Sequence, residues 1–219
     1  MIRTIRVPWL ALVVGMGLFT EAGVASAQGL ELGVRTGYGI PLGKVADDAT
    51  GDMNEVVDGV IPIWLDLGQR VSPDLMVGVY GMYAFGVLDG ELRDNCDKQS
   101  ADCSAHDIRA GIELHYHLLP DQTVDPWIGM GADWEWFNLS VSQAGDDYSA
   151  TATGPNLTLQ LGLDVKPSGS IVAFGPFASF SFGEFIDRSC SGPGLSCSSP
   201  DDKSMHNWLM VGVRATVQP

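Results

Sequence analysis

Lysine is scarce in this chain. Four occur in 219 residues, Lys44, Lys98, Lys166 and Lys203. None falls inside a segment with strand periodicity, whereas a water-soluble β protein commonly carries Lys on its strand edges and exposed faces. Basic residues are few altogether: 12 Lys and Arg stand against 27 Asp and Glu, for a net charge of −15. That balance lacks the basic footprint of a nucleic-acid binder, so no nucleic-acid partner is expected. Beyond the N-terminal region no apolar run is long enough for a transmembrane helix. The spacing C-x2–4-C is missing, which removes the usual structural zinc signature. There is no D-x-[DN]-x-[DN]-G loop for calcium and no G-x-S-x-G nucleophile turn. No cofactor is expected.

The chain starts with the pattern of a secretory signal. Arg3 and Arg6 form a basic region, Val7 to Phe19 is an apolar run too short to span a membrane as a helix, and Ala25-Ser26-Ala27 is an A-x-A cleavage site. Residues 1–27 are therefore expected to be a signal peptide and residues 28–219 a single domain. Cleavage removes two Arg and one Glu, which takes the net charge from −15 to −16.

The clearest structural signal lies at Ser104 to Leu118, S-A-H-D-I-R-A-G-I-E-L-H-Y-H-L. Asp107, Arg109, Gly111, Glu113, His115 and His117 alternate with His106, Ile108, Ala110, Ile112, Leu114, Tyr116 and Leu118. Strict alternation separates two faces on a strand and mixes them on a helix. The run outlasts an ordinary strand of about 5–6 residues and suits one tilted across a bilayer, which needs roughly 9–11. The same pattern recurs at about 29–40, 59–69, 75–87, 126–139, 154–165 and 170–183, and again at Leu209 to Val217. Pro62 lacks an N–H, so a bulge or distortion is expected in the second strand. The connections alternate long and short. The expected fold class is all-β, an eight-stranded antiparallel up-and-down transmembrane β-barrel.

Alternation alone does not say which face points inward. A soluble lipocalin-like carrier would put its greasy face inside. Three features favour the reverse. Glycines such as Gly33, Gly37, Gly111, Gly129 and Gly212 share the polar face, where small residues relieve crowding in a narrow barrel. That face carries both signs, Arg35, Arg109 and Arg214 against Glu31, Asp66, Asp107, Glu113, Asp133, Glu135 and Asp164, which suits mutual pairing in an enclosed space. The greasy face holds Tyr38, Tyr83, Tyr116, Trp134, Trp136, Phe174, Phe180 and Phe182, and aromatic residues gather at bilayer interfaces. The ten charged residues just named are expected to form a network in the lumen.

With these features the chain resembles the small outer-membrane β-barrels of the OmpA/OmpX or OmpW kind, over its whole mature length. The stretches that carry the resemblance are E-L-G-V-R-T-G-Y-G-I-P-L-G (31–43), D-I-R-A-G-I-E-L-H-Y-H (107–117) and P-W-I-G-M-G-A-D-W-E-W (126–136). The resemblance implies a bacterial outer-membrane location, periplasmic termini, short periplasmic turns and four long surface loops. It further implies contact with outer-membrane lipids and lipopolysaccharide, and insertion by the barrel-assembly machinery. Such barrels usually end in an aromatic residue that this machinery reads, whereas this chain ends Val217-Gln218-Pro219. No domain is expected after the last strand.

Several candidate chemistries remain. The pairs Cys96/Cys103 and Cys190/Cys197 are each C-x6-C. Beside a secretory signal they read as two disulfides, with local pairing preferred among three possible connectivities. Glu113, His115 and His117 share one strand face and are weak zinc candidates, weighed against a hydrogen-bonded lumen network. The lumen charges could line a narrow small-solute channel, but eight strands leave an interior that side chains just fill. A lipid-modifying enzyme would use a membrane-facing Ser and His. Only His106 lies on the greasy face, with no Ser nucleophile evident beside it. The expectation is a monomeric, non-enzymatic barrel, structural or interacting with a surface partner through disulfide-pinned acidic loops.

Overall fold

The computed structural model describes residues 28–43, 53–194, 197 and 204–218. The expected signal peptide lies outside the described residues, as do most of the first and last long loops and Pro219. The strands are β1 (Gln28–Gly43), β2 (Val57–Arg70), β3 (Leu75–Leu88), β4 (Asp102–His117), β5 (Val124–Gln143), β6 (Asp146–Val165), β7 (Val172–Phe185), β8 (Asp187–Ser191) and β9 (Ser204–Val217). Among the described residues they are interrupted by one helix, α1 (Gly90–Lys98), and one 3-10 turn at Met53–Glu55.

All pairings are antiparallel, and the sheet closes on itself because β1 pairs with both β2 and β9. β7 and β8 are two lengths of one stave. Both pair with β6, and the register slips by one residue between them, opposite Gly154-Pro155. The barrel therefore has eight staves, as the alternation implied. Its stagger can be traced. From Val165 the pairings run through Phe174, Ala215, Val34, Leu65, Gly81, Ala110 and Trp134 to Pro155, ten residues along the same strand. This offset tilts the staves and sets which side chains meet inside.

The two faces sort as polar inside and apolar outside. Leu65, Ile112, Leu157 and Val213 are each at least 60 % exposed. Glu135, Arg35 and Arg109 are at most 1 % exposed. With no water in a hydrocarbon layer, backbone groups must pair within the protein, and a closed barrel achieves this. The large exposed apolar side chains along the staves form a belt suited to acyl chains.

Some boundaries differ from the sequence expectation. Ser140–Thr153, read as a polar loop, is instead the upper part of the β5–β6 hairpin, and its pairing runs in one unbroken register from Val124/Val165 to Gln143/Asp146. Its residues alternate too, but between Ser/Thr and small apolar types, which weakens the hydropathy contrast. Strand β9 begins at Ser204, so His206 and Trp208 belong to the wall. Within the second long segment, α1 is capped by Asp89, whose carboxylate accepts from the N–H of Glu91 at 2.8 Å and of Leu92 at 3.2 Å. Pro62 does not shift the register. β1 and β2 keep one alignment on either side of it, from Thr36/Ile63 to Gly39/Val60, and only the ladder opposite Gly37 and Tyr38 is interrupted.

Glycines on the inner face serve close approach. A Cβ on Gly212 would lie 2.1 Å from the carbonyl oxygen of Thr36, and one on Gly37 would lie 2.1 Å from that of Val211. The end with the short turns carries both termini of the barrel. At the opposite, loop end an apolar cluster fills the mouth. Met53 from the first long loop is fully buried there with Val57, Ala84, Phe137, Phe185 and Met210.

Candidate functional site: the barrel interior

Period-two alternation puts every second side chain inside, and the stagger decides their neighbours. Three tiers result. Each is built on one arginine with two carboxylates and one tryptophan plate.

Nearest the turn end, Arg214 reaches Glu31 at 2.6 Å and Asp164 at 3.4 Å. Its guanidinium carbon lies 4.6 Å from the ring centre of Trp127. Arg70 also holds Glu31, with its Nε donating to Oε2 at 3.0 Å. It lies against the ring of His117, whose Nδ1 is 2.7 Å from Asp125.

In the middle tier Arg35 forks onto Asp66, donating to its two oxygens at 2.9 and 2.6 Å, and onto Glu113 at 2.6 Å. It also donates to Gln160. Trp64 lies under it at 4.2 Å. His115 is 3.2 Å from Glu113 and stacks on Trp127.

Nearer the loop end Arg109 donates to Asp107 at 2.9 Å and to Glu135 at 3.1 Å. Trp208 lies 5.5 Å from it and donates its indole N–H to Glu135 at 3.0 Å. His206 touches the other oxygen of Glu135 at 2.8 Å and stacks on Phe185.

All ten charged residues expected in the lumen are at most 8 % exposed. Nine of them enter these ion pairs. Asp133 does not: the Tyr80 hydroxyl donates to it at 2.5 Å, and Asn156 donates from 3.3 Å. Among the described residues the buried charged set contains eight carboxylates but four arginines. Neutral donors such as Tyr80, Trp208 and Asn156 must therefore share the task of stabilising negative charge.

The zinc candidates separate. Glu113 and His115 face Arg35, while His117 turns to Asp125 and Arg70. Among the described residues no group of three or more His, Cys, Asp or Glu is arranged to hold a metal. The cysteines are joined locally, Cys96 to Cys103 and Cys190 to Cys197, with Cα separations of 6.2 and 5.5 Å. The first bridge ties α1 to the start of β4.

Several interior residues lie where hydropathy alone suggests turns or loops: Arg70 and Asp125 beside short turns, His206 and Trp208 at the edge of a long loop. Each is nonetheless in phase with its strand. Arg70 follows Asp66 and Gly68 at steps of two, and His206 and Trp208 precede Met210 in the same way. The aromatic plates Trp64, Trp127 and Phe177 share that phase. The interior is thus polar and aromatic together, closed by apolar residues at one end.

No family model matches the sequence, and no curated protein matches it. Solved structures do match in fold. The crystal structure of Neisserial surface protein A aligns with 88 % of this chain and 99 % of its own, at 14 % identity and a TM-score of 0.53. A major outer membrane protein from Thermus thermophilus aligns with 85 % of this chain and 99 % of its own, at 12 % identity and 0.48. OprG from Pseudomonas aeruginosa aligns with 88 % and 98 %, at 13 % identity and 0.48.

The chain has the fold of a small outer-membrane β-barrel. An edge-free barrel with an apolar belt belongs in a lipid bilayer, and barrels of this kind span bacterial outer membranes. The lipocalin-like alternative needs the opposite arrangement of faces, with the apolar rows inside.

Proposed function

We propose that the protein is a closed, monomeric outer-membrane barrel. Its interior serves as a structural plug, and its disulfide-pinned acidic loops serve surface interaction. The observation that carries this reading is the doubly blocked lumen. Three arginine tiers cross the interior, and the apolar cluster around Met53 and Phe137 covers them at the loop end. Buried ion pairs of this kind are expensive to separate, so the lumen does not open spontaneously for solutes.

Catalysis is not part of this reading. Each lumen carboxylate is engaged on at least one oxygen by arginine, tyrosine or histidine. The belt contacts outer-membrane lipids and lipopolysaccharide, and the barrel-assembly machinery inserts the chain. The test is conductance of the purified, heat-modifiable protein in planar bilayers. The expected record is flat, with no steady steps. Reproducible unitary conductance would replace this reading with a narrow small-solute channel, and altered surface lipids in a deletion strain would replace it with a lipid-modifying enzyme.

A further inference from the structure

Above the apolar belt, strands β4, β5, β6 and β8 continue as an open four-stranded sheet. Along β4, β5 and β6 the register is unbroken, so the outward face of the belt continues directly into the outward face of this sheet, and β8 joins its edge after the one-residue slip opposite Gly154-Pro155. That face is lined with hydroxyls. One cross-strand row is Ser104–Ser140–Ser149–Ser191. The row below it, next to the belt, is His106–Asn138–Thr151–Ser189.

The opposite face differs. Residues such as Ala105, Leu139, Val141, Ala150 and Ala152 turn toward the mouth of the barrel. Any antiparallel sheet with one packed and one wet face sorts its polar residues outward. Here they are also held in place. Asn138 donates from its amide to Thr151 Oγ1 at 2.7 Å, and Ser140 donates to Asn138 Oδ1 at 2.8 Å. His106 is stacked on Tyr83 with ring centres 5.6 Å apart.

Position selects the occupant. Rows two residues apart on a strand are separated by about 6.6 Å, and neighbouring strands by about 4.8 Å. The two rows therefore form a lattice of donors and acceptors that begins where the apolar rows of Ile108 and Trp136 end. A lipid whose acyl chains lie along those rows brings its head to this lattice. Few ligands offer hydroxyls at such regular spacing, and a saccharide does. An anionic head alone finds no Lys or Arg in either row.

We propose that this hydroxyl lattice binds the core sugars of an outer-leaflet glycolipid. The inference rests on the outer-membrane reading. The glycolipid lies along the outer face of β4–β6 and donates to and accepts from Asn138, Ser140, Thr151 and Ser104. Tyr83 and His106 form a flat edge against which a sugar ring packs.

The test uses the full mature chain in lipid nanodiscs. Rough lipopolysaccharide with its core sugars is compared with lipid A lacking them, and with the free core oligosaccharide, by competitive retention and mass spectrometry. The expected result is at least tenfold preference for the core-bearing lipopolysaccharide over lipid A, whose head is only a phosphorylated disaccharide. The combined variant Ser140→Ala, Asn138→Leu, Thr151→Val, which keeps strand-forming bulk, should lose that preference while its heat-modifiable band is unchanged. Equal retention of both lipids by the wild type, or full preference in the variant, overturns the proposal. Binding of the free oligosaccharide as tight as that of the glycolipid overturns the lipid source. Should the triple variant not fold, Ser140→Ala alone must still reduce the preference. Failure of the wild type to enter nanodiscs at all would instead refute the outer-membrane reading.

Discussion

Replacing Arg35 with Met probes the sealed interior most directly. Arg35 is 1 % exposed and holds Asp66 through two hydrogen bonds and Glu113 through a third. Met fills much of the same volume and can still lie on Trp64, so packing changes little. What is lost is the positive charge between two buried carboxylates. Removing one partner of a buried ion pair costs about 3–5 kcal/mol. Here Asp66 loses the arginine it pairs with, whereas Glu113 retains His115 at 3.2 Å. The expected loss is therefore about 4 kcal/mol. It can be read from urea titrations of folded protein in lipid vesicles, scored by the heat-modifiable gel shift. Adding Asp66→Leu and Glu113→Leu removes the stranded acids. That triple variant should recover to within about 2 kcal/mol of the wild type, because an apolar set replaces a buried triad at little net cost. If Arg35→Met costs less than about 1 kcal/mol, the carboxylates must be reaching water. The interior would then be hydrated, and the plug reading would fall with it.

Three further outcomes follow from the wall and the mouth. Ile112→Arg sits on the belt at 63 % exposure and should cost about 2–4 kcal/mol in lipid; a change within about 0.5 kcal/mol, usual for an exposed site in water, would mean that this face is not lipid-facing. Gly212→Ala places a methyl 2.1 Å from the Thr36 carbonyl and should destabilise the barrel by about 1–3 kcal/mol in the same titration; a neutral result would show that β1 and β9 separate readily. Met53→Asp puts a charge into the apolar mouth, where Met53 is fully buried, and burying an unpaired charge is prohibitive. The first long loop should become a site of rapid protease cleavage while the barrel core stays resistant, and an unchanged digestion pattern would argue that Met53 does not seal the mouth.

Much of this protein is written along its strands. Alternation at period two depends only on backbone geometry, so Asp107, Arg109 and Glu113 announce one face and Ile108, Ile112 and Tyr116 the other before any fold is known. The short turns and the number of staves follow from the same pattern. The hairpin at Ser140–Thr153 was hidden because Ser, Thr and Ala differ too little in hydropathy to mark two faces, although their backbone pairing is as regular as elsewhere.

Closure decided the rest. Arg35 meets Glu113, 78 residues away, and Arg214 meets Glu31, 183 residues away. No local pattern encodes these meetings, because they depend on the ten-residue stagger accumulated around eight staves. The same closure brought His206 against Glu135 and folded Met53 into the mouth. Sequence alone determines which side chains share a face, since that is a property of one strand. Which of them touch is a property of the ring, and it exists only once β1 has paired with β9.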